Sequence, residues 1–122
     1  MRGRTRGQVE TDISEAIIQF EKEFMGRGPT ETKTYIIDDL VLVRLRGILT
    51  PAERQLVHVE NTSRGRELIK QVRHELLERG RPILEALIQN LLGRKAISLH
   101  TDLSTITGER LLIFTLDAAP DL

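Results

Sequence analysis

Among the side chains able to do chemistry, the most suggestive spacing belongs to His100 and Asp102, separated by Thr101. On a strand, residues two apart point to the same face. An imidazole and a carboxylate placed that way stand close enough to share a proton or a metal ion. The other histidines, His58 and His74, are at no ligand spacing from each other or from His100. His74 lies between Arg73 and Glu75 on a helical stretch and is expected to face solvent. Ser14, Ser63, Ser98 and Ser104 lack a nucleophile-elbow pattern and a local base. Cysteine is absent, which excludes disulfides and thiolate metal sites. The arginines offer a different chemistry. Arg27, Arg94 and Arg110 stand near expected hairpin ends, where a guanidinium fork can take an anion. With His100 and Asp102 they form a candidate ligand set for a small anion such as bicarbonate, a phosphate or a nucleotide. Gly26-Arg27-Gly28-Pro29 is no phosphate loop, because it follows a helix instead of preceding one, and helix C-termini repel anions. No metal site, cofactor or catalytic residue is assigned; an enzyme built on His100 and Asp102 ranks last among the readings.

Composition narrows the classes further. The chain has 122 residues, 39% of them hydrophobic and 30% charged, which suits one globular domain. Eighteen basic residues balance eighteen acidic ones, so no whole-chain electrostatic argument exists for nucleic acid or a membrane surface. No apolar run approaches the ~18 residues of a membrane helix. The basic start, residues 1–7, has no apolar region behind it and is no secretory signal. The expectation is a small cytoplasmic protein, with no membrane insertion and no nucleic-acid partner.

The elements that must position these residues follow from periodicity. Residues 1–7 read as a flexible basic arm, 8–117 as a single α+β domain, and 118–122 as a tail. Val9, Ile13, Ala16, Ile17, Phe20 and Phe24 recur at steps of three and four, which predicts a helix over 8–25 ended by Gly26 and Gly28. Residues 32–37 and 40–45 read as a hairpin turned by Asp38-Asp39. Thr50-Pro51-Ala52-Glu53 is a capping box with proline at the first helical position, opening a short helix to about Val57. Residues 60–65 read as a loop. Leu68, Ile69, Val72, Leu76 and Leu77 begin a long stripe, and its phase continues through Pro82 to Leu92. One helix kinked near Gly80 is favoured over two helices packed at an angle. Residues 96–103 and 110–116 form a second hairpin turned at Thr107-Gly108. The order is helix, strand, strand, helix, helix, strand, strand. It implies a two-layer sandwich: a four-stranded, mainly antiparallel sheet from two hairpins, covered by two long helices.

That sheet is apolar on both sides. Val41, Val43 and Leu45 point one way along the second strand, and Leu40, Leu42, Arg44 and Arg46 the other. On the last strand Leu112, Phe114 and Leu116 oppose Leu111, Ile113 and Thr115. The expected use of the second face is self-association, as a homodimer with Leu40, Leu42, Leu111 and Ile113 at the interface. The alternative is that the short helix folds over it.

Several blocks also carry a resemblance. Residues 16–29, Thr34-Tyr35-Ile36-Ile37-Asp38-Asp39, residues 47–53, and Ser98-Leu99-His100-Thr101-Asp102 with Thr107-Gly108-Glu109-Arg110 resemble the MpsC-like family of bacterial proteins over about residues 8–117. The resemblance implies a setting beside membrane systems for inorganic-carbon uptake or membrane potential, with this chain as a peripheral component. It carries no catalytic residue. The reading is therefore a small cytoplasmic protein-interaction or regulatory module, a homodimer with a protein partner at a membrane system; the alternative is a small-anion or nucleotide sensor.

Overall fold

The computed structural model describes residues 4–58 and 64–122. The first three residues of the expected arm and most of the expected loop at 60–65 lie outside them. Helix α1 spans Arg6–Phe20 and starts two residues ahead of the expected Gln8. Thr5 and Gln8 explain the earlier start: the Thr5 hydroxyl accepts from the Gln8 amide at 3.1 Å, and the Gln8 side chain accepts from the Thr5 amide at 2.8 Å. A π-helical turn, Glu21–Met25, extends α1. It ends at Gly26, whose φ of 92° lies in the left-handed region that glycine enters freely.

Strands β1 (Glu31–Ile37) and β2 (Leu40–Arg46) form the first hairpin. Asp38 turns the chain at φ 53°, a conformation that a short acidic side chain tolerates. Helix α2, Pro51–Val57, opens on the expected capping box of Thr50 and Glu53. Helix α3 runs unbroken over 29 residues, Arg64–Leu92, with Pro82 inside it, so the long stripe is one helix. Strands β3 (Ala96–Leu103) and β4 (Arg110–Leu116) complete an antiparallel sheet in the order β1-β2-β4-β3. The α+β two-layer arrangement is the one the periodicity predicts.

The long helices cover one face. Ile13 and Ile17 of α1, Leu84 and Ile88 of α3, and Val43 and Phe114 of the central strands are all fully buried. The buried line of α3 differs from the expected stripe. Ile69, Arg73, Leu77, Gly80, Leu84 and Ile88 face inward, while Leu68 and Val72 are 42% and 54% exposed. The helix is turned so that Arg73, not Val72, enters the interior, where Glu53 and the Ile48 carbonyl receive its guanidinium. The short helix α2 packs on α3, on the helical side, and leaves the sheet's second face uncovered.

Gly80 sets the distance between α1 and α3. A Cβ built there would lie 2.6 Å from the Phe20 ring and 3.2 Å from that of Phe24. Both rings stack on each other with centroids 5.1 Å apart, and Phe20 is 5% exposed, so they have little room to yield. Gly80→Val should destabilise the fold by about 1–3 kcal/mol through overpacking, a loss of several degrees in Tm. A thermal melt checks this, and an unchanged Tm would show that the helices do not touch at Gly80.

Candidate functional site

The five residues expected to bind a ligand do not all converge: His100 and Asp102 share one face of the sheet, Arg110 lies on the other, and Arg94 stands at the far end. Arg27 turns its guanidinium onto backbone, donating from Nη1 to the Leu49 carbonyl at 3.0 Å and from Nη2 to that of Gly47 at 3.4 Å. It pins the link between the π-helical turn and β1 to the segment that leads from β2 into α2. Arg110 is buried on the helical side of the sheet, 4% exposed, and donates to the Thr101 hydroxyl at 2.7 Å. His100 and Asp102 share the opposite face, as alternation predicts, where they pair with Ile113 and Leu111. Asp102 engages Lys70 of α3 at 3.0 Å and its neighbour's amide, Leu103 N, at 2.8 Å. The Lys70 hydrogen bond holds its carboxyl below the usual range. Arg94 precedes β3 at the far end. Ala96 pairs with Leu116 and Leu103 with Arg110, so Arg94 and Arg110 stand near opposite ends of a strand about 20 Å long. Among the described residues, no group of three His, Asp or Glu side chains is placed to hold a metal ion.

Periodicity missed a buried charged cluster that ties four elements together. Glu21 of the π-helical turn, Arg73 of α3 and Arg110 of β4 are 2%, 5% and 4% exposed. Arg73 grips Glu53 of α2 with two bonds, Nε to Oε2 at 3.0 Å and Nη2 to Oε1 at 2.6 Å, and adds the Ile48 carbonyl at 2.9 Å. Glu53 also closes the α2 capping box by accepting from the Thr50 amide at 2.8 Å. Burial alone would raise the Glu53 carboxyl, but its bonds to Arg73 and Thr50 outweigh that and hold it low. Glu21 is the reverse case: burial pushes its carboxyl up, and the attraction of Arg110 and Arg73 offsets only part of the rise. Burial likewise lowers Arg110, against the opposing pull of Glu21. The signal was present in the sequence. Glu21 continues the step of four from Ile13 and Ile17, and Arg73 lies between Ile69 and Leu77 at the same step.

Among the described residues, two open apolar surfaces stand out. The first is the uncovered sheet face. Leu40, Leu42, Leu111 and Ile113 lie there half-buried, and Tyr35 and Ile37 beside them are 40% and 53% exposed. The second is a groove between the outer sides of α1 and α3, one section of about 330 Å³ floored by Phe20 and Phe24 and walled by Ala16, Ile83 and Leu87. It continues along α3 past Ala86 and Leu91. Ile83 on its rim is 52% exposed.

A family model described as Na+-translocating membrane potential-generating system (MpsC) matches residues 5–118. The chain is also similar to YbcI of Bacillus subtilis (strain 168), described as an uncharacterized protein, with 43% identity over 113 residues, 93% of this chain and 89% of that one. No solved structure matches.

The Arg73–Glu53 grip makes a pH-resolved prediction. Glu53→Gln weakens the partner of a guanidinium that stays buried, which should cost about 2 kcal/mol once the partial exposure of Glu53 is discounted. Because the Glu53 carboxyl lies lower folded than its ordinary 4.5, its stabilisation is complete above that value and lost as pH falls through the folded one. Wild type and variant should therefore differ most in Tm near neutrality and converge in acid. A gap that does not narrow on acidification would show that the lost bond is not charge-assisted.

Proposed function

The chain belongs to the MpsC family, and from that premise we propose that it is a protein-interaction module of a Na+-translocating membrane potential-generating system. No helix among the described residues is long and apolar enough to cross a membrane, and the module acts from the cytoplasmic side by docking on a larger component. Its role is to bind and regulate, not to carry out chemistry.

The observation that carries this reading is the groove between α1 and α3. Its floor is two stacked phenylalanine rings, and its walls are aliphatic. Ile83 stands half in water at the rim. A groove between two helices with such a lining suits the apolar face of a partner helix, placed by anchors three and four residues apart. Gln19 and Glu23 bond to each other at 2.8 Å along one rim and give that surface a polar border. The anion-sensor reading needs convergent, accessible guanidinia. Arg27 and Arg110 are instead spent on carbonyls and a hydroxyl inside the fold.

The test compares two equally exposed positions on α3. Ile83 borders the groove and Val72 does not, at 52% and 54% exposure. In cells that carry the membrane system, Ile83→Glu should release the chain from the washed membrane fraction, while Val72→Glu should leave it bound. Both variants should keep the wild-type Tm. Equal retention of the two would contradict docking through the groove.

A further inference from the structure

The sheet's open face carries charge in a pattern that matches itself. Register places its side chains in rows across β1, β2, β4 and β3. One row reads Lys33, Arg44, Leu111, Asp102, and the next Tyr35, Leu42, Ile113, His100. Glu31 and Arg46 pair at the end of the first hairpin, and Glu109, just before β4 on the same side, takes Arg44 at 2.5 Å and stands 3.9 Å from Arg46 of its own chain. Basic groups, Lys33, Arg44 and Arg46, thus occupy the β1–β2 half. Acidic groups, Asp102 and Glu109, occupy the β4–β3 half, with Glu31 the exception at one corner. The apolar side chains Tyr35, Leu42 and Ile113 fill the next row across both halves.

We propose that this face binds a second copy of the chain, through a two-fold axis that runs along the strands between β2 and β4. Rotation about that axis keeps the rows and exchanges the halves. Lys33 then faces Asp102 of the second copy, Arg46 faces its Glu109, and Leu42 packs on its Ile113, each contact made twice. Lys33 makes no ion pair within the chain among the described residues, and Asp102, although it engages Lys70 at 3.0 Å, has a side chain 81% exposed that can accept from a second donor. The second in-plane axis, across the strands, would set Lys33 against Ile37 and forfeit the match. Pairing by strand addition is disfavoured at β1, because the Ile36 amide on that edge strand already donates to Glu10 at 2.7 Å. Two sheets packed this way keep their strands roughly aligned, offset by about 30°. Four strands about 4.8 Å apart and seven residues long present a face of roughly 400 Å². That is a small interface, and a dissociation constant in the micromolar range is expected. The inference is independent of the α1–α3 groove, which stays outward on both copies.

Sedimentation velocity from about 1 to about 100 µM spans that range. Wild type should pass from monomer to dimer. Leu42→Asp should stay monomeric with little change in Tm, since Leu42 is only half-buried. Lys33→Glu and Asp102→Lys should each weaken the dimer about tenfold, and the two combined should restore it. A wild-type monomer throughout would overturn the proposal, and so would a dimer indifferent to Leu42→Asp or a double variant no tighter than the singles. A monomer whose membrane recovery still depends on Ile83 would overturn the dimer alone and leave the docking reading standing.

Discussion

Strand alternation sends Val41, Val43 and Leu45 to one side of β2 and Leu40 and Leu42 to the other, and β4 repeats the pattern. The helices can cover only one of those sides. Where α1 and α3 lie, the central strands are fully buried, and α2 joins them on α3 instead of crossing to the other face. The self-association proposed for the molecule follows from this shortage of cover. Apolar side chains left over after the core is filled need a partner surface, and the second face carries enough of them in one place to make an interface.

The covered side solves a different problem. It admits two arginines and a glutamate at near-zero exposure, which isolated charges could not sustain. Each guanidinium is bound: Arg73 to Glu53 and a carbonyl, Arg110 to Thr101 with Glu21 opposite. Glu21 reaches the interior by continuing the step of four from Ile13 and Ile17, at the first residue of the π-helical turn. The result joins the end of α1, the start of α2, the middle of α3 and the start of β4 at one polar junction. Its directional bonds specify the relative placement of these elements more sharply than apolar packing does.

Much of the fold was legible because it rests on local signals. The capping box at Thr50 and Glu53, the Asp38-Asp39 turn and the alternation of β2 each depend on neighbours in sequence, and the structure shows them where the residues put them. The open face was legible for the same reason, from parity alone. The junction was not, because a search for apolar periodicity counts Glu21 and Arg73 as outward by type even where their spacing is inward. Val72 was misplaced for the complementary reason: it is apolar, but α3 turns Arg73 inward to reach Glu53. The groove could not be read either, since it exists only where Gly80 lets α3 close on the rings of α1. Of the arginines, type and turn position suggested anion binding, while the partners that occupy Arg27 and Arg110 are distant in sequence.

The central claim is that the uncovered sheet face joins two copies of the chain. Methyl NMR spectra of the intact protein recorded across a range of concentrations test it most directly. The account predicts that the methyl signals of Leu40, Leu42, Leu111 and Ile113 move together as concentration rises, while those of Ile83 and Leu87 in the groove and Ile13 and Leu84 in the core stay fixed. Spectra that do not change, or changes centred on the groove, would contradict it.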